Sequence, residues 1–337
     1  MKKINNKVLL TGVSGYIGLH CAVELLKNGY VVKGSLRDLS KSKKIKSDIS
    51  KFINPKDNLE FCELDLLSDK GWDDAAKDCV YIMHVASPFI NYEPKDKNLY
   101  IKPAVDGTLR ALNSGLKANI KRIIITSSVV AMIKNGDKST EINENSWTNI
   151  NAKNISAYAK SKTLAEKKAW RFVKEHNMEL VVINPGPVFG PPISNNFCGA
   201  SMSMFKDLIT GKIPMIPQSS INMSDVRDVA KVHVLALKNK KAPGNRFIVT
   251  TKKSYSFSKL AQLLKINGYS KVSTKIAPNF ILKFLGYFDR EVRSMRAFIG
   301  KKYDADISKT MKIFNWSHTP FEKTILDTAK YIEKVIK

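Results

Sequence analysis

The chain has 337 residues, 43% hydrophobic and 26% charged, with 56 Lys plus Arg against 30 Asp plus Glu and a formal net charge of +26. That length and balance predict a soluble globular chain with a substantial core, and exclude a disordered, fibrous or disulfide-framework protein. The positive excess is mostly lysine, spread from Lys2 to Lys337 without interleaved aromatic clusters. It reads as a solvated surface that attracts anionic ligands, which argues against a nucleic-acid partner. The four cysteines, Cys21, Cys62, Cys79 and Cys198, form no C-x-x-C pair, which suits a reduced, cytoplasmic setting. The longest apolar run, 79–90, is interrupted by His84, Ser87 and Pro88 and is too short to span a bilayer, so no membrane segment is expected.

Strand patterns at 8–11, 31–36, 59–64, 80–86, 122–126 and 180–183 alternate with helical patterns at 15–28, 40–52, 72–77, 98–118 and 157–177. Such alternation predicts an α/β, Rossmann-type doubly wound parallel sheet, with ligands beyond the carboxyl ends of its strands. After Asn184 the texture changes, with prolines and glycines crowding 185–192 and 211–217. The chain is expected to return to the sheet at 225–236 and 246–250, and to form helices and short connections from Ser256 onward. The predicted organisation is a dinucleotide-binding domain of 1–184 plus 225–250, and a smaller, discontinuous C-terminal substrate lobe of 185–224 plus 251–337.

The first strand runs into Thr11-Gly12-Val13-Ser14-Gly15-Tyr16-Ile17-Gly18, which opens the first helix. Gly12 allows a tight turn, Gly15 lets backbone approach a pyrophosphate, and Gly18 permits close helix–strand packing. Free N–H groups around Ser14, Tyr16 and Ile17, and the positive end of the helix dipole, then face the anion. The second strand ends in Leu36-Arg37-Asp38, followed by Lys41, Lys43 and Lys44. An arginine here accommodates a ribose 2′-phosphate, which predicts NADP(H), with Asp38 leaving room for NAD(H). Asp65 at the third strand's end can accept a hydrogen bond from an adenine amino group. Val85-Ala86-Ser87-Pro88 ends the fourth strand with small residues that let ribose and phosphate pass close to backbone.

The fifth strand finishes in Thr126-Ser127-Ser128, and a helix beginning near Tyr158 places Lys162 four residues on, on the same face. A second Y-x-x-x-K pair, Tyr255 and Lys259, reads as an ordinary helix entry because no strand-end serine precedes it. A phenol needs its reference pKa near 10 lowered by about three units to exchange protons at neutral pH, and a neighbouring ammonium favours that. Ser127 or Ser128 would donate to a substrate carbonyl oxygen as hydride arrives from the cofactor. The five histidines show no metal-ligand spacing, so no metal is expected.

Together these stretches resemble the extended short-chain dehydrogenase/reductase superfamily, within the NAD-dependent epimerase/dehydratase family. The nearer resemblance is to its dihydroflavonol 4-reductase, cinnamoyl-CoA reductase and ketone/aldehyde reductase branch. Further matching pieces are Pro103-Ala104-Val105-Asp106-Gly107-Thr108, Asn184-Pro185-Gly186-Pro187-Val188-Phe189-Gly190-Pro191 and Asp225-Val226-Arg227-Asp228-Val229-Ala230. The resemblance implies Ser128, Tyr158 and Lys162 as the catalytic set. It also implies cofactor contacts from Arg37, Lys44, Asp65, Leu66, Val85, Ala86, Ser87 and the turn carrying Pro185, Gly186 and Val188. Plant dihydroflavonol reductases carry a substrate-selecting asparagine shortly after the serine, whereas here 129–133 is apolar. With Phe89, Ile133, Phe197, Met202, Met204 and Met223 as expected pocket residues, the implied substrate is a small, apolar carbonyl compound or its alcohol. Two other readings use the same fold: an NAD-dependent nucleotide-sugar epimerase or dehydratase, and an NADP-sensing or nucleic-acid-binding protein.

Overall fold

The computed structural model describes residues 6–88, 92–133, 139–152, 155–195, 199–289, 292–293 and 299–336. Seven strands form its main sheet: β1 (Lys7–Thr11), β2 (Val31–Leu36), β3 (Leu59–Glu63), β4 (Tyr81–His84), β5 (Arg122–Thr126), β6 (Leu180–Pro185) and β7 (Asn245–Val249). Every pairing in it is parallel, in the order β3-β2-β1-β4-β5-β6-β7. The strand order reverses between β1 and β4, and the crevice at their carboxyl ends is where such sheets take ligands.

Strand side chains alternate between two apolar layers, as the pleat requires. Val8 and Leu10 face one layer and Leu9 the other; Ile124 faces the first and Ile123 and Ile125 the second. Helices α1 (Tyr16–Lys27), α2 (Ser42–Ser50) and α7 (Val226–Lys238) contribute to the first layer. Helices α3 (Trp72–Ala76), α4 (Asn98–Lys117) and α5 (Ala157–His176) cover the second, with α4 packed along α5. Burying one Leu or Ile fully contributes about 1.5–3 kcal/mol, so these two layers hold the strand ends in fixed register.

A third apolar cluster gathers Phe189, Phe205, Leu208, Leu260, Leu264, Phe321 and Ile325. It joins α6 (Ala200–Ile209), α8 (Phe257–Ile266) and α11 (Phe321–Ile336), all of which follow β6 in the chain. Between α8 and α11 lie α9 (Asn279–Leu285) and α10 (Ser308–Phe314).

Three expectations need correction. The return at 225–236 is a helix, α7, preceded by the two-residue strand Ser224–Asp225, because Val226, Val229, Val232 and Ala236 recur at helical spacing. The 40–52 segment opens as a 3-10 turn, Leu39–Lys41, with the Asp38 side chain as its cap. Ile307, Phe314 and Trp316, assigned from sequence to the C-terminal lobe, pack instead into the layer of the main sheet that holds α1 and α7.

Candidate active site

The glycine turn is shaped by close approach. Gly12 has φ +70°, and a Cβ there would lie 2.8 Å from Ala86 Cα, so its glycine lets β1's exit rest on the end of β4. A Cβ on Gly18 would lie 2.1 Å from Gly12 O, which only glycine avoids. The Gly12 N–H donates to Ser35 Oγ at 3.2 Å and the Gly15 N–H to Gly12 O at 3.0 Å. Gly15 caps α1, whose first intrahelical bond is Leu19 N–H to Gly15 O, so the N–H groups of Tyr16, Ile17 and Gly18 have no partner within the helix. The Tyr16 hydroxyl donates to Gly190 O at 2.8 Å, so what Tyr16 offers a ligand is its backbone.

The side of the crevice that carries Arg37, Lys44 and Asp65 is open. Arg37 is exposed at the end of β2 and makes no ion pair among the described residues; Lys44 is exposed on α2. Asp38 accepts the Ser40 N–H at 2.9 Å, and its carboxyl is held below the ordinary range first by the Ser40 side chain and then by that backbone bond. Asp65 is exposed and accepts the Leu67 N–H at 2.8 Å through Oδ1. Leu66 lies against α4, where a Cβ on Gly107 would come within 2.5 Å of Leu66 Cδ2. Val85, Ala86 and Ser87 are part-exposed at the end of β4, where Ala86 N–H donates to Thr11 Oγ1 at 3.1 Å. Across the crevice, Pro185 ends β6. The Gly186 N–H donates to Ser224 Oγ at 2.8 Å, and a Cβ on Gly186 would lie 2.3 Å from Asn222 O. Val188, in the short strand Val188–Phe189, is half-buried.

The opposite end is closed. Ser128 follows β5 and its Oγ accepts the Val130 N–H at 3.3 Å, capping a 3-10 turn, while its O–H lies 3.4 Å from Pro185 O. Ser156 caps α5 by accepting the Ala159 N–H at 3.2 Å, which starts the helix just before Tyr158. Burial pushes the Tyr158 phenol up, and its hydrogen bond with the Ser128 side chain works against that shift. Although these surroundings are dense, Tyr158 keeps some exposed surface, with Tyr100 edge-on at 5.8 Å. Lys162 is buried and donates to Thr126 O at 3.1 Å. Burial lowers its pKa to about 8, and the nearby Glu166 carboxylate acts in the opposite direction. His84 is buried and held neutral at a pKa of about 3, first by burial and then by Lys162; its Nδ1 pairs with Thr11 Oγ1 at 2.9 Å. A small crevice lined by His84, Ala86, Ser87, Thr126, Ser127 and Lys162 lies between these groups. Within it Ser127 donates to Glu166 Oε2 at 2.5 Å, whereas the Ser128 side chain hydrogen-bonds with Tyr158.

Residues 8–250 match the NAD dependent epimerase/dehydratase family. The chain belongs to that family. It is 36% identical over 262 residues to a cinnamoyl-CoA reductase of Medicago truncatula, covering 75% of this chain and 78% of that one. Its fold is similar to yeast methylglyoxal/isovaleraldehyde reductase Gre2 complexed with NADPH, with a TM-score of 0.77 at 26% identity, over 97% of this chain and 98% of that one. Vestitone reductase of alfalfa aligns with a TM-score of 0.75 at 25% identity, over 97% of this chain and 98% of that one.

Within this member of the epimerase/dehydratase family, the strand-end residues read from sequence lie at one edge of the sheet, and of the expected pocket residues the three methionines share the third apolar cluster while Ile133 lies outside it. Met202 and Met223 are 1% and 2% exposed in the third apolar cluster, and Ile133 is buried after the 3-10 turn. Met204 packs part-buried against the same cluster. Phe89 and Phe197 lie outside the described residues. Sequence reasoning missed Glu166 and Arg246, a buried ion pair with Nε to Oε1 of 2.5 Å behind Lys162. One signal was available: Tyr158, Lys162 and Glu166 recur every fourth residue, hence on one helix face.

Proposed function

We propose that the chain is an NADP-dependent oxidoreductase that reduces a ketone or aldehyde carbonyl to an alcohol, or runs the reverse, with Ser128, Tyr158 and Lys162 as its catalytic set. The observation that carries this reading is the hydrogen bond between the Ser128 and Tyr158 side chains, with Lys162 one helical turn on and buried at the same strand end through Thr126 O. The reductase relatives and the NADPH-bound neighbour point the same way.

The residues present fit a dinucleotide: Gly12, Gly15 and Gly18 keep side chains out of the turn, and the first N–H groups of α1 are open to a pyrophosphate. When bound, NADPH supplies the hydride. Arg37, with Lys44 on the neighbouring helix, is placed to take a ribose 2′-phosphate, while Asp38 already holds the Ser40 N–H. Ser128 is placed to donate to the substrate oxygen, where negative charge develops. Tyr158 delivers the proton to that oxygen, and the Lys162 ammonium favours the phenolate left behind. Lys162 already donates to Thr126 O, so its ammonium is held at the strand end and its remaining protons are available to ribose hydroxyls. The apolar 129–133 segment supports an apolar carbonyl substrate. No helix among the described residues is long and apolar enough to cross a membrane, and Cys21, Cys62 and Cys79 are free thiols, which supports a cytoplasmic setting.

The test is NADPH oxidation over a panel of small aldehydes, diketones and aromatic ketones, repeated with Tyr158→Phe. The variant should bind NADPH like the parent and lose turnover by roughly 10³-fold or more. Turnover unchanged in Tyr158→Phe would overturn the catalytic assignment. Retention of tightly held NAD with no net cofactor oxidation would favour sugar-nucleotide epimerisation instead.

A further inference from the structure

Behind Lys162 lies a buried polar cluster for which hydride and proton transfer have no direct use. Its centre is the Glu166 carboxylate, whose side chain has 0% exposure. Oε2 accepts from Ser127 Oγ at 2.5 Å and from Asn184 Nδ2 at 3.0 Å. Oε1 accepts from Arg246 Nε at 2.5 Å and from Trp170 Nε1 at 3.3 Å. One side chain therefore joins α5 to the ends of β5 and β6 and to β7.

Removing a carboxylate and a guanidinium from water is costly, and a site that merely needed packing would be as well served by apolar residues. Arg246 is anchored in turn by the chain through Nε and Nη1, while its Nη2 has no hydrogen-bond partner among the described residues. Its Nη1 donates to Glu144 O at 3.0 Å and Ser146 O at 2.6 Å, and its guanidinium carbon sits 3.8 Å from the centre of the Trp147 ring. The cluster acts on the proposed catalytic groups along two routes. Asn184 Nδ2 also donates to Ser128 O at 3.2 Å, and Ser127 N–H donates to Ile183 O at 2.8 Å. The peptide groups that precede Ser127 and follow Ser128 are thus both held by β6. The second route is electrostatic: Glu166 lies one helical turn from Lys162 and opposes the effect of burial on its ammonium.

We propose that Glu166 is a positioning residue for the reaction: its carboxylate fixes the peptide that carries Ser128 and keeps Lys162 charged, with Arg246 as the counterion. The proposal rests on the Ser128–Tyr158–Lys162 assignment. The charged and titratable groups around Lys162 are Glu166 and Tyr158 on its own helix and the neutral His84 on β4; Arg246 on β7 faces Glu166. In carbonyl reduction, activity is lost at alkaline pH as Lys162 loses its proton. A negative neighbour moves that loss upward, so removing the charge must move it downward.

The experiment compares Glu166→Gln, Glu166→Asp and Ser127→Ala in the full chain, with NADPH binding and circular dichroism as folding checks. In Glu166→Gln the alkaline limb of kcat should move down by about one pH unit, with NADPH binding retained. Glu166→Asp keeps the charge, so its limb should stay at the parental pH while kcat falls through altered geometry. Ser127→Ala loses one hydrogen bond and no charge. It should lower kcat roughly tenfold with little change in the KM for NADPH and no movement of the limb. A limb that stays in place in Glu166→Gln overturns the electrostatic half, and an unchanged kcat in Ser127→Ala overturns the positioning half. If Glu166→Gln fails to fold, as unpairing Arg246 can cause, Ser127→Ala and Glu166→Asp still decide: kcat equal to the parent in both overturns the proposal. Turnover retained in Tyr158→Phe instead breaks the underlying assignment, whatever the Glu166 variants do.

Discussion

The two ends of the crevice are built on opposite principles. At the proposed catalytic end, Ser128, Lys162, His84 and Glu166 are all buried, and each has a partner inside the chain. At the proposed adenosine end, Arg37, Lys44 and Asp65 are exposed, and of these three only Asp65 shows a hydrogen bond to a near neighbour. A reacting end must fix atoms to within fractions of an ångström, and burial with mutual hydrogen bonds does that. A gripping end needs only charge of the right sign where the ligand arrives, and long solvated side chains serve. Substitutions at the first end should therefore disturb rate, pH dependence and folding together, while those at the second should change cofactor affinity alone.

The largest expected effect lies where the two ends meet. Gly18→Ala would put a methyl group 2.1 Å from Gly12 O, a backbone atom that cannot step aside without moving the turn. NADPH affinity should fall more than about 100-fold, because a shift of about an ångström forfeits the aligned N–H groups. Fluorescence titration with NADPH checks this; wild-type affinity in the alanine variant would show that the turn does not form the pyrophosphate site.

Next comes the acid side of the stability curve, to which two buried imidazoles near β5 contribute. Burial lowers His84 to a pKa of about 3 and His233 to about 4, the latter bonded to Thr126 Oγ1 at 2.7 Å and Val229 O at 2.8 Å. Unfolded, each titrates near 6.5, so between that value and the folded pKa the unfolded chain binds more protons and stability falls as pH falls. By pH 5 the two sites together should cost about 4 kcal/mol relative to pH 7. Urea midpoints at the two pH values measure this, and His233→Asn should flatten the slope. A midpoint unchanged between pH 7 and pH 5 would mean that neither imidazole is held neutral.

The same contrast explains what could be read from the sequence. Local features carried far: the glycine turn, the strand ends at Arg37, Asp65 and Ser87, and the four-residue spacing of Tyr158 and Lys162 are all set by short-range periodicity. Long-range pairing did not show. Glu166 and Arg246 are 80 positions apart, and nothing in either neighbourhood announces that β7 brings them together. The choice between Ser127 and Ser128 was equally hidden from spacing, since adjacent residues differ only in which way the strand end turns them. The methionines were ambiguous for another reason: an apolar residue at helical spacing suits a core as well as a pocket, and Met202 is buried in the third apolar cluster.

The smallest effect is the most selective. Arg37 is exposed and its charge is not neutralised by an ion pair among the described residues, so replacing it removes no internal contact from the fold. Arg37→Ala should leave the melting temperature and kcat unchanged. A guanidinium on a solvent-accessible phosphate contributes on the order of 1.5 kcal/mol, so the KM for NADPH should rise roughly tenfold. The KM for NADH, which lacks the phosphate, should move less than about twofold. Steady-state kinetics with both cofactors measure the ratio, and the result cuts both ways. If the two KM values rise together, Arg37 grips the shared part of the dinucleotide and the 2′-phosphate is held elsewhere, with Lys41, Lys43 and Lys44 the other cations at this end. If kcat falls as well, the exposed end is coupled to the buried one, and the separation between gripping and reacting regions fails.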